Sequence, residues 1–338
     1  VPIRPLNPFL DLEDSEFWDS YGIEMRLRFA RKKRKGGLSW GLPIRKVIHM
    51  NPFNHHGIAH LSPSAVNMFT QSPSAWVAKA LLGHKFSSGP KAWRGIAVED
   101  GLNAYIFHSA TPEEAIDVAM TNFDKLNSKA LNVGEDVERE RKRLDRYVLN
   151  SIDAMLEVVN EFGVGEPQAP PANGSWNGQW EVGLPCRFGE HQNDKVDVIG
   201  YLDFLYANDA NKNTIVDLKT TARIPSEWQP NHAMQAAFYK RAHGNNPDVL
   251  FVYASPKEEG KPNAFHILRL DDETYQRELK RMKDTITRMS KMLKLSDDPF
   301  SLAEAVPHDE TSFYWSNEKS LDQIIEDVKT AIENTTEE

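Results

Sequence analysis

Cysteine is nearly absent from this chain. Cys186 stands alone in 338 residues, so no internal disulfide can form and no four-cysteine zinc or iron–sulfur site can be built. Long apolar runs are missing too, with nothing near the ~18 consecutive apolar residues that cross a bilayer. A basic excess is also lacking. Forty Lys and Arg face 49 Asp and Glu, a formal net charge of −9, which argues against a uniformly basic nucleic-acid coat protein. A local basic channel stays compatible with that total, because net charge and local field are separate quantities. The opening VPIRPLNPFLDLEDSEFWDS lacks the basic-then-apolar order of a secretory signal. No internal repeat is visible. These absences lead to the expectation of an intracellular, reduced protein with no membrane partner, cytoplasmic in its host.

What is present reads as an ordinary globular chain, 40% apolar and 26% charged. Its length can bury one large domain or two modest ones. Residues 1–58 alternate Pro, Gly, His and charge without periodicity and are read as an irregular N-terminal extension. This extension holds the densest basic run, RLRFARKKRK, with Arg26, Arg28, Arg31, Lys32, Lys33, Arg34 and Lys35. Such a run is either a solvated arm or a phosphate contact. Scattered groups near the later motifs, Lys91, Arg94, Arg223 and Lys240, are the other source of a basic channel. A compact domain is expected over 59–300, and a helical tail over 301–338.

Within that domain, Ser62-Pro63 and Ser72-Pro73 each look like an N-cap followed by proline at the first helical position. Gly83 is expected to stop the second of these helices. A further helix runs through AWRGIAVEDGLNAYIFHS. Thr111-Pro112-Glu113-Glu114 has the form of a capping box opening a helical insertion, about 111–163. After the Pro/Gly-rich GVGEPQAPPANGSWNG, the period turns strand-like in QWEVGLPCRF, KVDVIGYLDFLYA and NTIVDLKTT. A helix over PNHAMQAAFYKRAHG, strands DVLFVYAS and AFHILRL, and a long helix from Asp271 follow. This order predicts an α/β fold, a central mixed sheet flanked by helices with helical additions.

Charges interrupt two of these apolar strands. Asp217 and Lys219, two apart on a strand, project to one face. The polar turn NDANKN brings Asp203 alongside Asp217. Two carboxylates and an ammonium then converge at one end of a hairpin, where carboxylate oxygens suit Mg²⁺ or Mn²⁺. An exposed edge hairpin is the plain alternative, but the flanks VIGYLDF and TIVDLKTT are too apolar for one. Gln235 and Tyr239, four apart, share a helix face. Tyr201 and Trp93 are expected in the core. Glu181 suits a cross-strand or site-edge role. His55, His56 and His60 lack companion ligands at zinc spacing, so a loop or DNA-contact role is expected.

GYLDF, then IVDLKTT, then the helix HAMQAAFYKRA resembles the PD-(D/E)XK nuclease superfamily, with its restriction-endonuclease-like core. Within it the sequence is most similar to RecB-type and phage lambda-type exonuclease domains. Gln235 and Tyr239 match the Q-x-x-x-Y helix of the RecB-type group, LSPSAVNMFTQSPSAW its opening helical segment, and RGIAVEDGL its Gly-x-x-x-His/Glu segment. Glu99 stands where many RecB-type nucleases have histidine, and Arg94-Gly95 followed by Glu99 is similar to the lambda type. Iron–sulfur members have cysteine-proline where Ser72-Pro73 stands, so that branch is excluded.

The resemblance implies metal-dependent DNA hydrolysis. Glu99, Asp203, Asp217 and the Leu218 carbonyl would ligate Mg²⁺ or Mn²⁺, and Lys219 would position or activate the attacking water. Gln235, Tyr239, Arg94 and Thr220 are implied as site-supporting or DNA-binding residues. DNA and a single-strand annealing or recombination protein are the implied partners. A phage-type recombination or repair exonuclease is the leading reading. An endonuclease or single-strand-specific nuclease on the same core, and a non-catalytic DNA-binding or assembly subunit, stay open beside it.

Overall fold

The structure is a computed structural model that describes residues 51–128, 135–171, 175–184, 194–208, 212–258, 264–316 and 318–337. The basic arm, nearly all of the N-terminal extension and Cys186 lie outside the described residues. In chain order the elements begin with α1 (Pro52–His55), β1 (His60–Leu61), α2 (Pro63–Gln71) and α3 (Pro73–Ala80). Four helices follow: α4 (Pro90–His108), α5 (Pro112–Ser128), α6 (Glu135–Arg141) and α7 (Leu144–Phe162). The strands β2 (Glu166–Pro167), β3 (Trp176–Gly183), β4 (Lys195–Leu202), β5 (Phe204–Ala207) and β6 (Asn213–Thr220) come next. After α8 (Pro230–His243) come β7 (Asp248–Ala254), β8 (Phe265–Arg269), α9 (Asp272–Leu293), α10 (Pro299–Ala305) and α11 (Leu321–Glu337). None of the described helices is long and apolar enough to cross a membrane.

Contacts divide the chain into two units. The first, Ser88–Trp180 with Gly200–Lys280, holds a five-stranded sheet in the order β2–β5–β6–β7–β8. It is mixed: β6 pairs parallel with β7, while the β2–β5, β5–β6 and β7–β8 pairs are antiparallel. Parallel neighbours need a crossover, and α8 supplies it between β6 and β7. The second unit takes the described residues up to Ser87, Glu181–Ile199, and Arg281 onward.

Period-two alternation sorts the side chains of the five-stranded sheet into two faces. Phe204, Tyr206, Val216, Leu218, Leu250, Val252 and Ala254 join one core cluster with residues of α4, α5 and α7. The opposite face carries Asp217, Lys219, Phe251 and Tyr253, and α8 packs there: Tyr239 stacks at 6.5 Å from Phe251. The sheet is thus covered by helices on both faces, as the order of elements predicted.

Local signals explain most boundaries. Thr111 and Glu114 form the expected capping box, with reciprocal bonds of 2.8 and 3.2 Å. Ser62 caps α2 by accepting from the Ala65 amide at 3.1 Å. Ser72 precedes Pro73 as expected, but its side chain does not cap α3. Its hydroxyl accepts instead from the Trp315 indole at 3.2 Å, a buried tertiary partner outweighing the local one. Gly83, at φ 71°, follows the end of α3.

Two further expectations are corrected. KVDVIGYLDFLYA is not one strand: β4 ends at Leu202, β5 begins at Phe204, and the two join different sheets. Tyr201 is 53% exposed rather than part of the core. Along β4 the inward positions are Val196, Val198, Gly200 and Leu202, and Tyr201 falls out of phase with them. Trp93 is buried as expected.

Gly200 marks where β4 meets α8. A Cβ there would lie 2.6 Å from Cε1 of the fully buried Phe238. Gly200→Ala should therefore lower stability by about 1–3 kcal/mol through overpacking, and Gly200→Ala/Phe238→Leu should recover part of that loss. Thermal melts check this; an unchanged midpoint in Gly200→Ala would show that the contact yields freely.

Candidate active site

Asp203 occupies the bend between β4 and β5. The β5–β6 register pairs Phe204 with Val216, which sets Asp203 across from Asp217. The Asp203 backbone leaves the ladder there, and its Oδ2 accepts from the Leu218 amide at 2.9 Å. A carboxylate thus takes the place of a ladder carbonyl. Side chains directly opposite on an antiparallel pair lie on one face, so the strand break delivers two acids to the same point.

Asp217 is 0% exposed. Neither of its carboxylate oxygens has a well-aligned hydrogen bond among the described residues. The Lys219 ammonium contacts Oδ2, and the Tyr239 hydroxyl lies beside the carboxylate. Burial pushes this carboxyl up, against the pull of Lys219 and Tyr239. Burial works on Lys219 in the opposite sense, but Asp217, Asp203 and Glu99 outweigh it and hold the ammonium above its ordinary range. Lys219 is therefore protonated at neutral pH. It also lies 5.3 Å from the centre of the Phe251 ring.

Glu99 comes from α4. It and Asp203 keep a partly accessible edge although protein surrounds them. Burial, then repulsion from Asp203 and Asp100, drives the Glu99 carboxyl well above the ordinary carboxylate range. Burial and the Asp217 charge raise Asp203 to about 7. Three carboxylates from α4, the β4–β5 bend and β6 thus sense one another, with one ammonium among them.

Tyr239 and Gln235 stand on α8, with Gln235 Nε2 donating to the Tyr239 hydroxyl at 2.6 Å. Arg94 is buried at the start of α4, and its Nε donates to Thr220 Oγ1 at 3.1 Å. Lys240 pairs with Asp272 at 2.9 Å. Glu181 forms an exposed cross-strand pair with Lys195. His55 bonds Asp297 Oδ1 at 2.8 Å and His56 the Leu293 carbonyl at 2.9 Å, so both serve packing in the second unit.

His232 was missed by sequence reasoning. Its Nδ1 lies 2.9 Å from the Tyr253 hydroxyl, and burial and the Lys219 charge lower its pKa to about 4. Its ring sits against Phe251 and Tyr253. His232, Gln235 and Tyr239 follow i, i+3, i+7 spacing, one helix face, and that spacing could have found it.

No group of three or more His, Cys, Asp or Glu among the described residues is gathered tightly enough to hold a metal ion as it stands. The donor chemistry nevertheless fits a small hard cation. All three acids offer oxygen ligands, and burial, reinforced by repulsion between them, raises the Glu99 and Asp203 carboxyls.

The five-stranded mixed sheet thus carries two acids and a lysine at one strand end, backed by the helix that bears Gln235 and Tyr239. The chain belongs to the PD-(D/E)XK nuclease superfamily, whose sequence pattern it matches over residues 60–336. Membership supports a nuclease, a hydrolase acting on phosphodiester bonds, in a superfamily that generally uses divalent metals such as Mg²⁺. A solved structure described as the crystal structure of SSO0001 is similar over 57% of this chain and 85% of its own, at 13% identity. Its TM-score of 0.26 is too low to support any argument. No curated protein matches the chain.

The raised carboxyls have a consequence for stability. Folded Asp203 holds its proton up to about pH 7, whereas an unfolded aspartate releases it near ~3.9. Between those values the folded state binds more protons, so stability without metal falls as pH rises. Thermal melts in EDTA should show the midpoint declining from pH 5 to pH 8. Asp203→Asn, which keeps an acceptor for the Leu218 amide, should flatten that decline. An equally steep decline in Asp203→Asn would show that Asp203 is not the titrating group.

Proposed function

We propose that this protein is a Mg²⁺- or Mn²⁺-dependent DNA nuclease, most closely an exonuclease of the phage recombination or repair type. The observation that carries the reading is the fully buried Asp217 carboxylate, faced by the Lys219 ammonium and set beside Asp203 and Glu99, in a PD-(D/E)XK chain. The finer exonuclease assignment is supported by the likeness of Arg94-Gly95 and Glu99 to the lambda-type segment, and of Gln235 and Tyr239 to the RecB-type helix.

In this reading Asp203, Asp217, Glu99 and the Leu218 carbonyl hold the metal. Bound there, the ion would act as a Lewis acid on the phosphate and lower the pKa of a bound water. Lys219, protonated, donates to the attacking water or to charge developing on a phosphate oxygen; as an ammonium it does not accept a proton. The Tyr239 hydroxyl, held by Gln235, limits the freedom of Asp217. His232 stays neutral, so no second cation competes with Lys219. Arg94 supports the site from beneath, since its guanidinium is engaged with protein groups. Phosphate contacts outside the site would come from exposed groups such as Lys91 and Arg223, and from the N-terminal arm, without reading sequence.

A time course on end-labelled linear duplex, nicked circle, closed circle and single strand tests the assignment. Linear duplex should shorten progressively from its ends with Mg²⁺ or Mn²⁺, and EDTA should stop the reaction. Cleavage of closed circles would turn the reading to an endonuclease, and full activity in EDTA would end it. Lys219→Ala should reduce cleavage by about 10²–10³-fold, the usual cost of removing one donor aimed at developing charge, while keeping much of the Mn²⁺ affinity. Asp217→Asn should lose both. Wild-type turnover in Lys219→Ala would remove the lysine from the mechanism.

A further inference from the structure

Arg94 and Glu140 form a buried ion pair beneath the site. Arg94 is 5% exposed and Glu140 3%. Arg94 Nε donates to Thr220 Oγ1 at 3.1 Å and its Nη2 to the Thr220 carbonyl at 3.0 Å. Its Nη1 donates to Glu140 Oε2, and its guanidinium carbon lies 4.6 Å from the centre of the Tyr147 ring. Glu140 belongs to α6 and Tyr147 to α7, both in the helical insertion. The Arg139 guanidinium also approaches Glu140 Oε1, at 3.6 Å.

The position of this pair gives it a role. Thr220 directly follows Lys219 at the end of β6, and Glu99 follows Arg94 by five residues on α4. One guanidinium therefore ties together the helix that carries Glu99 and the strand that carries Asp217 and Lys219. The helix and strand are close here: a Cβ at Gly95 would make an ordinary contact with Thr220 Oγ1 at 3.7 Å. The planar fork of arginine can grip the hydroxyl and carbonyl of one residue and still reach a carboxylate, which a lysine cannot do. Without Glu140 the buried guanidinium would lack its counter-charge, and it would regain solvation only by leaving Thr220 or admitting water.

We infer that Glu140 and Arg94 are a positioning pair through which the helical insertion sets the separation of Glu99 from Asp217 and Lys219, without itself touching metal or DNA. The inference rests on the nuclease reading for its consequences, but its first readout needs no turnover. Mn²⁺ affinity of the 338-residue chain should weaken by about 10–100-fold in Glu140→Gln and in Arg94→Lys, as for other groups that orient metal ligands. With DNA, kcat should fall while KM stays near wild type. Arg141→Ala, which breaks the exposed Arg141–Asp124 pair next to Glu140, should match wild type in both assays.

A double-mutant comparison separates positioning from simple support of the fold. In a Glu99→Gln background the distance to Glu99 no longer matters, so Glu140→Gln should cost much less there than in wild type. If Glu140→Gln fails to fold, Glu140→Asp keeps the charge, withdraws it by one methylene and carries the same expectations. A lowered melting temperature with wild-type Mn²⁺ affinity and kcat would overturn the inference, as would an undiminished effect in the Glu99→Gln background. Mn²⁺ binding without any DNA cleavage by wild type would defeat the nuclease reading alone. No Mn²⁺ binding at all would defeat both.

Discussion

Everything in the candidate site follows from the burial of Asp217. A carboxylate removed from water needs a compensating charge or dense hydrogen bonding. This one has the Lys219 ammonium two residues away on the same strand face and the Tyr239 hydroxyl from α8. A single lysine cannot neutralise three acids, so the cluster of Glu99, Asp203 and Asp217 keeps a deficit of positive charge. Burial, and then repulsion from neighbouring acids, raises the carboxyls of Glu99 and Asp203. A divalent cation and the phosphate it brings would resolve the deficit.

The fold holds that unfavourable arrangement in place. Apolar residues on one face of the five-stranded sheet bury against α4, α5 and α7, while α8 and its aromatic contacts close over the other. Because β6 and β7 run parallel, α8 must cross above the sheet, and this passes His232, Gln235 and Tyr239 over the acidic strand end. The chain switch at Asp203 adds the second acid. Each device costs local regularity: a broken strand, a buried charge and a crowded glycine at position 200.

Much of this was legible in the sequence because its cause is local. The capping box at Thr111, the proline-started helices, the alternation in NTIVDLKTT and the Gln235–Tyr239 spacing all arise from neighbours along the chain. The convergence of Asp203 with Asp217 was legible too, since a hairpin turn joins them. Other features depend on long-range packing. The split between β4 and β5 is set by pairing with different sheets, which periodicity in KVDVIGYLDFLYA does not encode. Tyr201 reads as apolar, yet its phase on β4 turns it outward. Glu140 looks like one acid among many in EDVERER. Only the fold brings it to Arg94, 46 residues earlier.

The central claim is that these acids share protons where a divalent cation should sit. Calorimetric titration of Mn²⁺ into the protein near pH 7, repeated in buffers of different ionisation enthalpy, measures it directly. Ligands that are partly protonated beforehand must release protons as metal binds, so the apparent enthalpy should vary with the buffer and report net proton release. Binding with no buffer dependence would show the carboxyls already ionised, and would contradict the electrostatic account of the site.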